Sequence, residues 1–155
     1  MGKILQAAAW WCWVPRFLTP DQFVRGLAEI GYAGIDLAPE EFFPLIQTHG
    51  LQISAIKGHD SIESGLNRRE NHARIERELR TAIDLAARWK IPNLICFSGS
   101  RAGMRDAEGV ARTAEGRSFD NVDLDDGDWC DFDEDAGLSV GVYNVESKIE
   151  IYRAK

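Results

Sequence analysis

What this sequence lacks narrows its possibilities first. It has no paired cysteines: Cys12, Cys96 and Cys130 are odd in number and too far apart to read as a zinc site. That usage fits reduced thiols in a cytoplasm rather than a disulfide framework. No apolar run approaches the ~18–20 residues that cross a bilayer, so no membrane partner is expected. The start, MGKILQAAAWWCW, puts Trp10, Trp11 and Trp13 where an export signal has small cleavage-site residues. A myristoylation pattern is also missing, because Gln6 stands where Ser or Thr is required. There is no excess of basic side chains, so nucleic acid is not an expected partner. No P-loop occurs, and no G-x-G-x-x-G follows the first strand.

What is present is a chain able to fold. Its 155 residues suffice for one domain with a core, and 45% are hydrophobic, which excludes a disordered polymer. The net charge of −7 is unevenly placed. Residues 1–116 hold 14 acidic and 14 basic side chains, whereas residues 117–155 hold 11 and 4. The expected organisation is therefore a first region, 1–116, joined to an acidic tail, 117–155.

The first region alternates strand and helix signals. KILQAAAW (Lys3–Trp10) is a candidate buried strand. Thr19, Pro20 and Gln22 form a capping box that opens a helix, whose apolar face holds Phe23, Val24, Leu27 and Ile30 and which ends at Gly31. GIDLAP is a second strand, EEFFPLIQTHG a short helix and LQISAIKG a third strand. Asn67 and Glu70 read as a capping pair for the longest helix, with Ile75, Leu79, Ala82, Ile83 and Ala86 inward. NLICF is a fourth strand, and Asp106–Glu115 a fourth helix. Such connections force parallel strands covered on both faces. The doubly wound sheet and the (βα)8 barrel both use this unit.

In both folds a ligand sits at the strands' C-terminal ends. Those ends carry Trp11-Cys12-Trp13, then Asp36 and Glu40, then Lys57-Gly58-His59-Asp60, then Ser98-Gly99-Ser100-Arg101. WCW, GHDSIESGLNRRENHARIE and IPNLICFSGSRAGMRDAEGV, in that order, resemble the hydroxypyruvate isomerase-like proteins of the xylose isomerase-like barrel superfamily. The resemblance covers about residues 4–116. It implies an α/β fold of four parallel βα units, half of a (βα)8 TIM barrel; the residues that follow read on their own pattern as an acidic, β-rich segment. It also implies an aldose–ketose isomerase acting on a small hydroxy-keto acid or sugar, with a divalent metal whose ligands are not found in this chain. Isomerisation needs a base at carbon and a cation or acid at oxygen. The matching positions supply no carboxylate pair, so the chain is expected to be weak or inactive alone. The alternative is a non-catalytic binding or assembly module, or a truncated or recombined barrel fragment.

Each candidate residue has a plain structural alternative. On the functional reading His59 is catalytic, binding a hydroxyl or carboxylate or shuttling a proton. Otherwise it is a loop histidine bonded to backbone. Trp11 and Asp60 are substrate-binding candidates, and Trp11 and Trp13 would share one side of a strand. Ser98 and Arg101 could hold an anionic group, or form an ordinary solvated turn. His49 and His72 read as surface residues, and Cys12 and Cys96 as buried small hydrophobes.

In the tail, Asp123, Asp125 and Glu134 fall at positions 1, 3 and 12 of a calcium loop, but Asp128 occupies the place of its sharp-turning glycine. A solvated acidic loop is the default. LSVGVYNV (Leu138–Val145) and KIEIYRA (Lys148–Ala154) read as an antiparallel hairpin, turning at Glu146-Ser147. A sheet of only four strands exposes its edges and an apolar face, so a homodimer is expected.

Overall fold

In a computed structural model, residues 4–119, 122–123, 129–132 and 138–144 are described, with side chains described as far as Glu115. The chain divides into two compact units, Met1–Ile56 and Lys57–Lys155. Its class is α/β. Strands β1 (Ala7–Ala9), β2 (Gly34–Asp36), β3 (Gln52–Lys57) and β4 (Asn93–Phe97) alternate with helices α1 (Pro20–Ile30), α2 (Phe43–Thr48), α3 (Arg69–Trp89) and α4 (Asp106–Arg117), in the order the sequence implies. Among the described residues no helix is long and apolar enough to cross a membrane.

In the first unit β1, β2 and β3 pair parallel, with Ile35 opposite Ala8 and Ile53. The β2–β3 register shifts at Asp36, which faces Ala55 and leaves Ser54 as a bulge. The Ser54 hydroxyl donates to Asp36 Oδ1 at 2.6 Å. A Cβ on Gly34 would meet the Gln52 carbonyl oxygen at 2.8 Å, so this close strand approach requires glycine. Helix α1 starts as the sequence states: Thr19 Oγ1 accepts from the Gln22 N–H (3.3 Å), and Gln22 Oε1 accepts from the Thr19 N–H (3.0 Å). Gly31, at φ +87°, closes it. Phe23, Val24 and Leu27 are buried, but Ile30, on the last turn, is exposed.

The first strand is shorter than expected. Trp10–Cys12 form a 3-10 turn, so strand alternation does not order the tryptophans. Trp10 turns inward, stacked on Phe42 (4.8 Å between ring centroids) and edge-on to Phe23 (5.8 Å). Trp11 and Trp13 are exposed. Cys12 is exposed too, whereas Cys96 is buried as anticipated.

In the second unit the apolar stripe Ile75, Leu79, Ala82, Ile83, Ala86 is buried as read. The capping pair is not formed. Arg68 stands at the N-cap without a side-chain cap, because the Asn67 side chain bonds elsewhere. The flank of β4 is occupied by an antiparallel strand, β8 (Leu138–Asn144), running from Asn93↔Asn144 to Phe97↔Val140. A (βα)8 barrel has a parallel strand there. On its other side β8 pairs antiparallel with β7 (Trp129–Phe132). Two short strands, β5 (Ser118–Phe119) and β6 (Val122–Asp123), form a separate pair. The expected strand Lys148–Ala154 and most of the calcium-loop positions lie outside the described residues.

Candidate functional site

The polar residues that end β4 meet the loop that leads from β3 into α3. Backbone bonds join them rung by rung. The Gly58 N–H donates to Ile95 O (2.8 Å), Leu66 N–H to Phe97 O (3.1 Å), Asn67 N–H to Ser98 O (2.6 Å) and Ser100 N–H to Glu63 O (2.8 Å). Two glycines permit this approach. Gly99 has φ +106°, and a Cβ there would collide with Asn67 Oδ1; a Cβ on Gly65 would collide with the Phe97 carbonyl oxygen.

His59 is 2% exposed. Its Nδ1 lies 3.0 Å from Asp60 O, and its Nε2 lies 2.9 Å from Phe97 N and 3.2 Å from Phe97 O. The neutral tautomer with hydrogen on Nδ1 satisfies both sides: Nδ1–H donates to Asp60 O, and Nε2 accepts from the Phe97 N–H. The Phe97 ring packs edge-on against the imidazole. Both ring nitrogens thus bond backbone and tie the loop to β4.

Asn67 does the same from the other end of the loop. Its Nδ2 donates to Ser100 O at 2.9 Å, while its buried Oδ1 has no hydrogen-bond partner. Arg68 reaches Arg101 O (3.2 Å) and Met104 Sδ (3.2 Å). Arg74 holds Ser64 O (2.6 Å) and pairs with Glu78, whose Oε2 accepts from the Asp60 N–H at 3.0 Å.

The second unit therefore contains His59, Asp60, Ser98 and Arg101, and Trp11 lies in the first. Asp60 is exposed and bonded to Lys57 Nζ at 2.8 Å, which holds its carboxyl below the usual range, with Arg74 adding to the effect. Ser98 is buried at the edge of the loop. Arg101 Nη2 lies 2.9 Å from Asp106 Oδ1, and its Nε donates to Met104 O. His49 and His72 are half-buried rather than surface residues, each bonded to a carbonyl of its own neighbourhood, Leu45 O (3.0 Å) and Leu66 O (2.7 Å). Sequence reasoning missed Asn67, Gly65 and Gly99 as the pieces that join the loop. The only signal was the small-residue run SGS, since Asn67 imitates a helix cap.

This arrangement orders backbone. Among the described residues no group of three His, Cys, Asp or Glu side chains could hold a metal ion. Cys96 Sγ packs on Gly58, whose added Cβ would lie 2.5 Å from it; burial pushes this thiol far up.

A family model described as CXXC motif containing zinc binding protein, eukaryotic, matches residues 65–150, more than half of the chain. No curated protein and no solved structure gives a significant match. The family match overturns the resemblance to hydroxypyruvate isomerase-like proteins. All of GLNRRENHARIE and all of IPNLICFSGSRAGMRDAEGV lie inside the matched span. Strand–helix alternation with small polar residues at strand ends is common to many α/β proteins and does not carry a function. The isomerase activity, its hydroxy-keto acid or sugar substrate, the TIM barrel and the metal inferred from that lineage fall with the resemblance.

The family's name implies zinc, and the donors here do not fit it. A structural zinc takes four Cys or His ligands, usually in closely spaced pairs. The matched span holds only Cys96, Cys130 and His72, and no two cysteines of the chain stand in C-x-x-C spacing. Lacking the motif but matched over most of its second unit, the chain belongs to the eukaryotic family of CXXC motif containing zinc binding proteins.

Proposed function

We propose that this chain is a non-catalytic assembly module that pairs with a second copy of itself through the rim of β1. One observation carries the reading. Ile4 (84% exposed), Leu5 (73%), Trp11 (68%), Trp13 (48%) and Phe17 (62%) flank a strand whose sole partner among the described residues is β2. An exposed apolar patch beside an open strand edge is the feature that isolated chains suppress and interfaces use.

Charge argues for a second copy as the occupant. Residues 4–15 carry no charged side chain, so apposing two such rims brings few like charges together. The net charge of −7 lies wholly in residues 117–155, so residues 1–116 carry no net charge to oppose the pairing. Ala7–Ala9 are small enough for two edges to approach about a two-fold axis. A cytoplasmic setting suits the exposed free thiol of Cys12 in that rim.

Light scattering on the purified chain at roughly tens of micromolar tests the reading. A dimer is expected. Leu5→Asp with Trp11→Asp places acidic groups on both sides of the contact and should weaken association on the order of 100-fold or more. A wild-type monomer at that concentration, or a dimer indifferent to both substitutions, sinks the reading.

A further inference from the structure

We infer that the second unit is built to do without zinc: a clamp of hydrogen bonds centred on His59 and Asn67 holds the 58–68 loop to the end of β4, the task a structural metal would perform. The inference does not rest on self-association, and a monomeric chain would satisfy it equally.

The donor geometry gives the first half of the argument. In the matched span only three side chains are of zinc-binding type with nitrogen or sulfur. Cys96 is buried, with its Sγ against Gly58. His72, whose Nε2 bonds Leu66 O, would bring at most one ligand, through its other ring nitrogen. Cys130 stands on β7 opposite Val140, which stands opposite Phe97 on β4. The backbone positions of Cys96 and Cys130 are therefore two strand spacings apart, about 10 Å, and in different rows of the ladder. Two thiolates sharing one zinc sit roughly 4 Å apart. The matched span thus offers three nitrogen or sulfur donors where a structural zinc takes four, and its two cysteines stand on strands separated by β8.

The second half is what stands in the metal's place. A zinc knot earns its stability by cross-linking loops that have little core of their own. Here the cross-links are already made. His59 spans Asp60 and Phe97, Asn67 spans Ser98 and Ser100, and Arg68 reaches Arg101. Each partner is a backbone group, so each bond fixes chain path. The glycines at 65 and 99 let the two segments approach to hydrogen-bond distance, an arrangement that added side chains would block.

The test uses the full chain, expressed with zinc in the medium and purified without chelator. Plasma mass spectrometry should find far less than one zinc per chain, and excess EDTA should leave the melting temperature unchanged. Asn67→Ala and His59→Ala should each lower that temperature by roughly 4–8 °C, with zinc content still near zero. If either variant fails to fold, the clamp is confirmed as essential, and the wild-type zinc and EDTA measurements still decide the metal. One zinc retained per chain through gel filtration, a wild-type melting temperature that falls with EDTA, or both variants melting like wild type would each overturn the inference.

Discussion

His59 shows how far a single residue can be read. A histidine beside an aspartate, just past a strand, has the composition of a proton shuttle, and the sequence singles it out on that ground. Its partners are the Asp60 and Phe97 backbones, however, and those depend on a contact 38 residues away that no local pattern encodes. Asn67 was misread for the same reason, since a capping signature and a cross-loop bond use the same short amide. Asp60 permits a test of the local electrostatics. The Lys57 ammonium favours its ionised form, so the pair contributes above the ordinary carboxyl value and is lost as pH falls through the lowered one. The carboxyl carbon of Asp60, followed by NMR, should titrate below an ordinary aspartate, and Lys57→Ala should move the midpoint back up. An unmoved midpoint would show that Lys57 is not the cause. The pair is well exposed, so no more than a slight effect on folding is expected.

Elements were more legible than residues, because helices announce themselves locally. The 3.6-residue spacing of Ile75, Leu79, Ala82, Ile83 and Ala86 fixed the buried face of α3, and Thr19, Pro20 and Gln22 fixed the start of α1. Boundaries failed where two signals compete. The apolar run Lys3–Trp10 reads as one strand, yet the chain turns at Trp10, because its ring gains more by packing on Phe42 and Phe23. Replacing the α1 cap, Thr19→Ala, leaves the Gln22 N–H without its acceptor and should cost about 1 kcal/mol. A melting temperature about 2–4 °C lower is expected. A change within error would mean that Pro20 and the buried face hold this end without the cap.

At the scale of the whole molecule, the strand–helix alternation was legible and the pairing at its end was not. The pattern of residues 1–116 defines α/β architecture, but it cannot say what lies beside the last parallel-type strand, because that partner comes from residues more than forty positions later. Leu138–Asn144 was recognisable as a strand, and among the described residues its neighbours are β4 and β7. Burial of the β4 edge by a tail strand is a device against the pairing hazards of an open edge. It also places Trp129–Phe132 and Leu138–Asn144 of the tail in the sheet with β4. Val142 faces Ile95 across the β4–β8 ladder, in a strand paired on both sides, where proline removes a donor and cannot be accommodated. In Val142→Pro, the β4 amides that bond to β8 should lose hydrogen-exchange protection by at least about tenfold, while amides within α1 keep theirs. Unchanged exchange at Asn93–Phe97 would show that β4 does not depend on β8 and that the tail adds nothing to the second unit.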